Sequence, residues 1–166
     1  MNNKELKIKA YKIGDCDLID QCESIALENH IDNGGTLKYL GLYEGSDYVI
    51  CCTYKDKVVG YTYLVHSFIE DNDLYLEQIA VKKSFQKMGI GSCMLNYLKS
   101  HSKQFSCITS NVREDNVGSM KLHKKNGFKR IGSNQYGITF KKKINKIFSK
   151  EMVFENEKQD GLQLDK

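Results

Sequence analysis

The chain has 166 residues, of which 40% are hydrophobic and 28% charged, and these values are typical of one globular domain with its own core. The first residues contain no apolar signal-peptide segment and no apolar run reaches membrane-spanning length, so we expect a cytoplasmic chain without a membrane partner. The net charge of +4 is uneven: residues 1–80 hold 7 Lys/Arg against 14 Asp/Glu, residues 81–150 hold 16 against 2, and residues 151–166 hold 2 against 5.

The sequence of the N-terminal half predicts one strand, then two helices, then two more strands. Residues 5–13 alternate apolar side chains on one face, which is typical of a strand. Apolar residues from 18 onward follow helical spacing to about residue 30, and a short second helix is predicted over residues 36–43. Residues 48–54 and 58–67 then predict two strands joined by a tight turn at residues 55–57.

The C-terminal half predicts alternating strands and helices. The central strand spans residues 75–81 and is followed by a helix over 89–103, a strand over 107–112, a helix over 116–126 and a strand over 128–132. A last strand is predicted at 150–154, and the connection over 133–149 is long enough to hold a strand or turn of its own. We therefore predict a single α/β domain over residues 1–155, with residues 156–166 as a frayed polar tail.

The cysteines and histidines do not predict a metal site or a disulfide framework. The six cysteines have no C-x-x-C spacing and most lie in apolar segments, so we expect reduced core thiols. The four histidines, at positions 30, 66, 101 and 123, are scattered along the chain.

The turn after the central strand reads Gln-Lys-Met-Gly-Ile-Gly over residues 86–91. Glycine allows close backbone approach to a ligand and a helix N-terminus carries partial positive charge, so a turn of this kind fits a diphosphate. The dinucleotide fingerprint needs a third glycine where Met94 stands, and the Gly-Lys-Ser/Thr of the P-loop is absent. From these six residues alone, a diphosphate loop and an ordinary turn with glycines for geometry both remain open.

A second segment, residues 112–128, has the spacing Asn-x-x-Ser-x-x-Leu-His-x-x-x-Gly-Phe. Together with the Gln-x-x-Gly-x-Gly turn, it resembles the GNAT N-acetyltransferase family, and the resemblance covers roughly residues 48–154. The resemblance implies the GNAT fold, an α/β fold with a mixed, mostly antiparallel sheet flanked by helices and splayed between strands four and five. Acetyl-CoA would lie in the opening between those two strands.

The resemblance further implies transfer of an acetyl group from acetyl-CoA to a primary amine by direct attack through a tetrahedral intermediate, with no metal. The alternative is a catalytically weak or inactive acyl-CoA-binding sensor of the same fold. A homodimer is left open, because dimers are common in the family. The residues implied to contact acetyl-CoA, as backbone donors on strand four, in the loop or at the helix starts, are Ile79, Ala80, Val81, Gln86, Lys87, Met88, Gly89, Ile90, Gly91, Ser92, Asn116 and Ser119.

Two residues are candidates for proton transfer. Glu77 is the acid within the apolar central strand, and it is either a solvent-facing polar residue or a general base that acts through water. His123 stands where the family has a tyrosine that serves as general acid. His123 can act as this acid directly or through a water, or a water or Tyr136 can act in its place. The remaining alternatives are that transfer is impaired, or that His123 is a helix-surface histidine beside two lysines.

The charge distribution bears on the partner. A basic nucleic-acid module is the alternative to an enzyme, but the lysines flank the loop instead of alternating with aromatic residues, so we predict no nucleic-acid partner. The acceptor is expected to be a small-molecule or peptide amine. The acidic N-terminal half, with Glu28, Asp32 and Glu44 near the predicted acceptor side, favours a cationic amine.

Overall fold

The computed structural model describes residues 5–12, 16–29, 31, 48–66, 72–102 and 105–144. The helix predicted at 36–43, the strand predicted at 150–154 and the tail predicted at 156–166 lie outside these residues. None of the helices in the described ranges is long and apolar enough to cross a membrane.

The described residues form a seven-stranded mixed sheet with helices on its faces. Its spatial order is β1-β2-β3-β4-β5-β7-β6, and β4 and β5 are its parallel pair. The predicted mixed, mostly antiparallel sheet is confirmed. The strands are β1 (Leu6–Lys12), β2 (Tyr48–Tyr54), β3 (Lys57–His66), β4 (Asp73–Val81), β5 (Cys107–Val112), β6 (Lys129–Asn134) and β7 (Gly137–Lys143), and the α-helices are α1 (Cys16–Glu28), α2 (Ile90–His101) and α3 (Val117–Lys125).

Two connections between strands bear on the predictions made from the sequence. Between β2 and β3 the turn has two residues, Lys55 and Asp56, both with positive φ (50° and 59°), which suits the right-handed twist of a hairpin. The long connection predicted over 133–149 contains β7, which pairs with β6 on one side and β5 on the other.

Each face of the sheet has its own apolar core. On one face, α1 packs against β2 and β3 through buried residues that include Leu18, Ile25 and Tyr63. On the other face, α2 packs through Leu95 and Leu98 against a larger cluster that extends from β2 to β7. The sheet is therefore a rigid middle layer that positions the loops at its edges.

A β-bulge in β4 opens the sheet. Tyr63 of β3 lies opposite Gln78, whereas the next residue, Leu64, lies opposite Leu76, so Glu77 is an extra residue in β4. Pairing of β4 with β5 ends at Tyr75, two residues before the bulge. β5 continues to pair with β7 as far as Val112. We call the resulting opening between residues 76–81 of β4 and residues 110–112 of β5 the fork; it is the splay that was predicted between strands four and five.

Candidate active site

The loop between β4 and α2 presents backbone N–H groups. The first hydrogen bond of α2 runs from Cys93 N to Gly89 O at 3.0 Å, so the N–H groups of Ile90, Gly91 and Ser92 are those that an α-helix leaves without intrahelical partners. Lys87 and Gly89 both have positive φ, 61° and 86°. Turns of this kind bring successive N–H groups together into a concave anion site. The donors available here therefore fit a diphosphate.

The two glycines of the loop have different structural roles. A Cβ built on Gly89 meets nothing within 4 Å, and its φ of +86° is the feature that favours glycine. A Cβ on Gly91 would lie 3.2 and 3.3 Å from the two methyl groups of Leu122 on α3. Glycine at 91 therefore allows α2 and α3 to approach each other, and the contact of Gly89 and Gly91 with a diphosphate stays a prediction.

Side chains of the loop are used to hold it in place. Gln86 Nε2 donates to Asn29 Oδ1 at 2.7 Å and to Val81 O at 3.1 Å, which ties the loop to the end of α1 and the end of β4. Ser92 Oγ accepts from Asn126 Nδ2 at 3.1 Å. Gln86 and Ser92 thus orient the loop through their side chains, and the groups left to face a ligand are mainly backbone.

Asn116 is the N-cap of α3. Its Oδ1 accepts from Ser119 N at 2.9 Å, which is the usual role of asparagine at the start of a helix. Asn116 itself is exposed. Contact of Asn116 and Ser119 with acetyl-CoA stays a prediction.

Glu77, the bulged residue, lies in the fork, two residues beyond the last β4–β5 pair. Its side chain is exposed at the surface, yet neighbouring protein atoms desolvate the carboxylate enough to raise its pKa above the ordinary 4.5. Ile79, Ala80 and Val81 follow it, beyond the end of the pairing with β5. Because a strand directs its backbone groups to both sides, part of the N–H groups of these residues faces the fork.

His123 is a buried residue, and the interpretation of it as a helix-surface histidine is wrong. Its side chain is 2% exposed. The ring packs edge-on against Phe128, with centroids 4.9 Å apart, and against Phe140 at 5.4 Å.

The hydrogen bonds of His123 define its tautomer. Nδ1 lies 2.8 Å from Ser119 O, and a carbonyl can only accept, so Nδ1 carries the proton. Nε2 is buried without a hydrogen-bond partner among the described residues. Burial lowers the pKa of His123, and the bond to the Ser119 carbonyl opposes this in part. The ring is therefore neutral at pH 7 with its lone pair on Nε2, so proton donation would require an imidazolium first. Its role as general acid stays a prediction.

The fork also brings together polar residues that the sequence reasoning missed. Asn111 of β5 donates from Nδ2 to the hydroxyl oxygen of Tyr75 on β4 at 3.0 Å. Its Oδ1 accepts from Thr139 Oγ1 of β7 at 2.9 Å. Polar side chains at alternate β5 positions, Thr109 and Asn111, were the available signal, but an alternating pattern does not reveal which strand lies opposite.

Of the three acidic residues predicted on the acceptor side, Glu28 lies within the described residues. Glu28, at the end of α1, accepts from Lys83 N at 3.1 Å through Oε1, so this carboxylate contacts the turn that precedes the loop. Asp32 and Glu44 lie outside the described residues.

Five cysteines are free thiols: Cys93 is exposed, and the buried ones are Cys22, Cys51, Cys52 and Cys107. Burial, with a smaller contribution from Cys93, raises the pKa of Cys52 to about 11, which is the opposite of what activates a nucleophile. The described residues include no group of three or more His, Cys, Asp or Glu side chains able to hold a metal ion.

Comparison with known proteins agrees with this geometry. The sequence matches the model of the Acetyltransferase (GNAT) family over residues 17–128, more than half of the chain. No curated protein sequence matches.

Several solved structures share the fold. A GNAT-family acetyltransferase from Staphylococcus aureus superimposes with a TM-score of 0.71 at 15% identity, covering 84% of this chain and 99% of that one. The PaiA N-acetyltransferase of Thermoplasma acidophilum, solved in complex with coenzyme A, gives 0.69 at 15% identity, with 82% and 99% covered. The ribosomal-protein-S18-alanine N-acetyltransferase of Escherichia coli gives 0.66 at 15% identity, with 90% and 99% covered.

Proposed function

Because the chain belongs to the acetyltransferase (GNAT) family, we propose that it transfers an acetyl group from acetyl-CoA to a primary amine by direct attack through a tetrahedral intermediate. One observation carries the proposal. Pairing of β4 with β5 ends two residues before the bulge at Glu77 and leaves an open fork, and the same strand leads into the loop that presents N–H groups at the start of α2.

The loop and the start of α2 are proposed to hold the diphosphate of coenzyme A. The N–H groups of residues 87–92 supply donors, and the helix dipole adds partial positive charge. Gln86 and Ser92 fix the loop through Asn29 and Asn126. Since the side chains of Lys87 and Met88 are exposed, they are available to contact the ligand as well. When bound, acetyl-CoA supplies the thioester that carries the acetyl group.

The backbone of β4 beyond the bulge is proposed to stabilise negative charge on the acetyl oxygen. Residues 79–81 lie past the last β4–β5 pair, so N–H groups on the fork side have no β5 partner there. A fixed donor that faces developing oxyanion charge typically contributes about 10²–10³ in rate.

Glu77 is proposed to remove a proton from the acceptor, through a water. An amine like that of lysine has a pKa of about 10.4 and is mostly protonated at neutral pH, so it must lose a proton before nitrogen can attack. The raised pKa of Glu77 makes its carboxylate a stronger base than an ordinary glutamate.

Acetyl transfer also requires a proton for the departing thiolate. The neutral, buried ring of His123 holds its only proton in the bond to Ser119 O. This observation favours the second candidate function, a weak or inactive acyl-CoA-binding sensor, over full activity. Catalysis remains the main proposal, because a simple thiol has a pKa near 8.5 and the departing thiolate can therefore take its proton from water.

The acceptor is proposed to be a cationic amine, either a small molecule or a peptide N-terminus. The excess of acidic residues in the N-terminal half supports a cation. Glu77 adds a negative charge at the fork itself.

The test is a thiol-release assay on the purified protein with acetyl-CoA and a panel of amines. The panel contains a polyamine, lysine, an aminoglycoside, a peptide with an N-terminal alanine, and neutral and anionic amines. We expect amine-dependent release of free coenzyme A, highest for cationic members.

Calorimetric titration with acetyl-CoA runs in parallel and separates the outcomes. Binding without release for any amine would replace the enzyme by the sensor. Absence of binding would refute the cofactor site altogether, and a preference for neutral or anionic amines would refute the cationic acceptor alone.

A further inference from the structure

Tyr75 lies where β4 and β5 separate. It forms the last β4–β5 pair, with Thr109, and stands two residues before Glu77. Its hydroxyl oxygen accepts from Asn111 Nδ2 at 3.0 Å, and Asn111 lies on β5 beyond that last pair. A side-chain hydrogen bond therefore joins the two strands at the base of the fork.

The direction of this hydrogen bond is set by the β6–β7 hairpin. Thr139 Oγ1 donates to Asn111 Oδ1 at 2.9 Å, and Asn134 Nδ2 donates to the same oxygen at 3.4 Å. With Oδ1 accepting both, the amide nitrogen faces Tyr75. An amide NH₂ group only donates, so the phenol oxygen is the acceptor and its own O–H proton is left to donate to another group.

Tyr75 is a protonated donor beside a base. Burial, and then the nearby charge of Glu77, raise the pKa of Tyr75, which keeps its hydroxyl protonated at neutral pH. Among the described residues, the structure thus combines at the fork a carboxylate that can accept a proton and a phenol oriented to donate a hydrogen bond.

We propose that Tyr75 is a positioning residue for proton removal, whose O–H donates to the water that carries a proton from the acceptor amine to Glu77. This inference rests on the proposed function. One lone pair of the water accepts the hydrogen bond from Tyr75, and the other faces an N–H of the ammonium. The N–H bond of the ammonium breaks and its proton forms a new O–H bond with the water. At the same time the water gives one of its own two protons to the Glu77 carboxylate. The amine is left neutral, Glu77 becomes the acid, and water and Tyr75 are unchanged.

The experiment is a double-mutant cycle with Tyr75→Phe and Glu77→Gln, read as kcat and as KM for acetyl-CoA. The Tyr75→Phe variant keeps the ring and removes only the hydroxyl. We expect kcat to fall about 10-fold in the wild-type background with an unchanged KM, because only placement of the water is lost. In the Glu77→Gln background the same change is expected to alter kcat less than about twofold, since no base remains for the water to serve.

Tyr61→Phe is the matched control. Tyr61 on β3 also has a hydroxyl bonded to β4, donating to Gln78 Oε1 at 2.9 Å, and it is buried. Tyr61→Phe therefore also removes a hydrogen-bonded tyrosine hydroxyl. We expect the kcat of this variant to stay at the wild-type value. Melting temperatures of both variants report any change in stability.

An unchanged kcat in Tyr75→Phe would overturn the inference, and so would an equal fold-loss in both backgrounds, which is what a structural role produces. If Tyr75→Phe does not fold, Asn111→Ala provides the same cycle by removing the donor that holds Tyr75. The proposed function is judged first, on amine-dependent thiol release by the wild type. If the wild type releases none, both ideas fail; if it does and the cycle is additive, this inference alone fails.

Discussion

Replacement of Gly91 by alanine tests which of the two loop glycines serves helix packing. The added Cβ would stand 3.2 and 3.3 Å from the methyl groups of Leu122, a few tenths of an ångström inside ordinary contact. Overpacking costs about 1–3 kcal/mol, and exchanging glycine for alanine in a helix returns up to about 1 kcal/mol. Gly91→Ala is therefore expected to lower the free energy of unfolding by up to about 2 kcal/mol.

The same substitution in a Leu122→Ala background is expected to have the opposite sign. With the leucine methyl groups removed, the new Cβ has room and fills part of the space that they leave. Gly91→Ala is then expected to stabilise by up to about 1 kcal/mol, which gives a coupling energy of about 1–3 kcal/mol between the two positions.

Urea unfolding followed by circular dichroism measures these energies, and calorimetry with coenzyme A measures affinity. Since the N–H of residue 91 is retained, affinity is expected to change less than about threefold, or 0.7 kcal/mol. Gly89→Ala is the control: it adds about 1–2 kcal/mol of left-handed strain without a contact, equally in both backgrounds. An affinity loss for Gly91→Ala that persists in the Leu122→Ala background would show that the Cβ faces the ligand after all.

Three further predictions concern the active site and its supports. Glu77→Gln is expected to lower kcat by about 10²–10⁴ at neutral pH and to remove the acidic limb of the pH–rate profile, which in the wild type lies above 4.5; an unchanged profile would return Glu77 to a structural role. Because burial lowers the pKa of His123 in the fold, the unfolded chain takes up this proton first, so stability falls as pH drops below about 6.5. This component is expected to be absent in urea titrations of His123→Phe, and its persistence there would contradict the assignment. Gly137→Ala is expected to cost about 2–4 kcal/mol, because φ is +126° and the Cβ would stand 2.3 Å from Val112 O, whereas Gly132→Ala on the neighbouring strand has no such contact; equal unfolding energies would refute this.

Local patterns in the sequence predicted most of the elements. The helix predicted over residues 89–103 is Ile90–His101, and the strands predicted over 48–54 and 107–112 have those bounds in the structure. Periodicity and turn residues are local properties, so they transfer directly. The strand Gly137–Lys143 was left open within a long connection, because its lysines at 141–143 obscure the apolar alternation.

The site was harder to predict wherever a role depends on a partner distant in sequence. Asn116 could be assigned as an N-cap because its acceptor, Ser119 N, is three residues away. The burial of His123 depends on Phe140, seventeen residues later, and the packing role of Gly91 depends on Leu122. The link from Tyr75 to Asn111 crosses the parallel pair, and no local pattern predicts it.

The extra residue in β4 has a consequence for stability as well as for shape. Leu76 and Gln78 pair with adjacent residues of β3, so a strand without Glu77 would continue the same ladder and keep every other side chain on its present face. It would also lie straight enough to continue pairing with β5, and each hydrogen bond gained would contribute about 1 kcal/mol. We therefore expect deletion of Glu77 alone to give a more stable sheet in which the fork is closed. The bulge thus exchanges part of the stability of the sheet for an opening in it, which is the trade-off between stability and activity that functional sites commonly show.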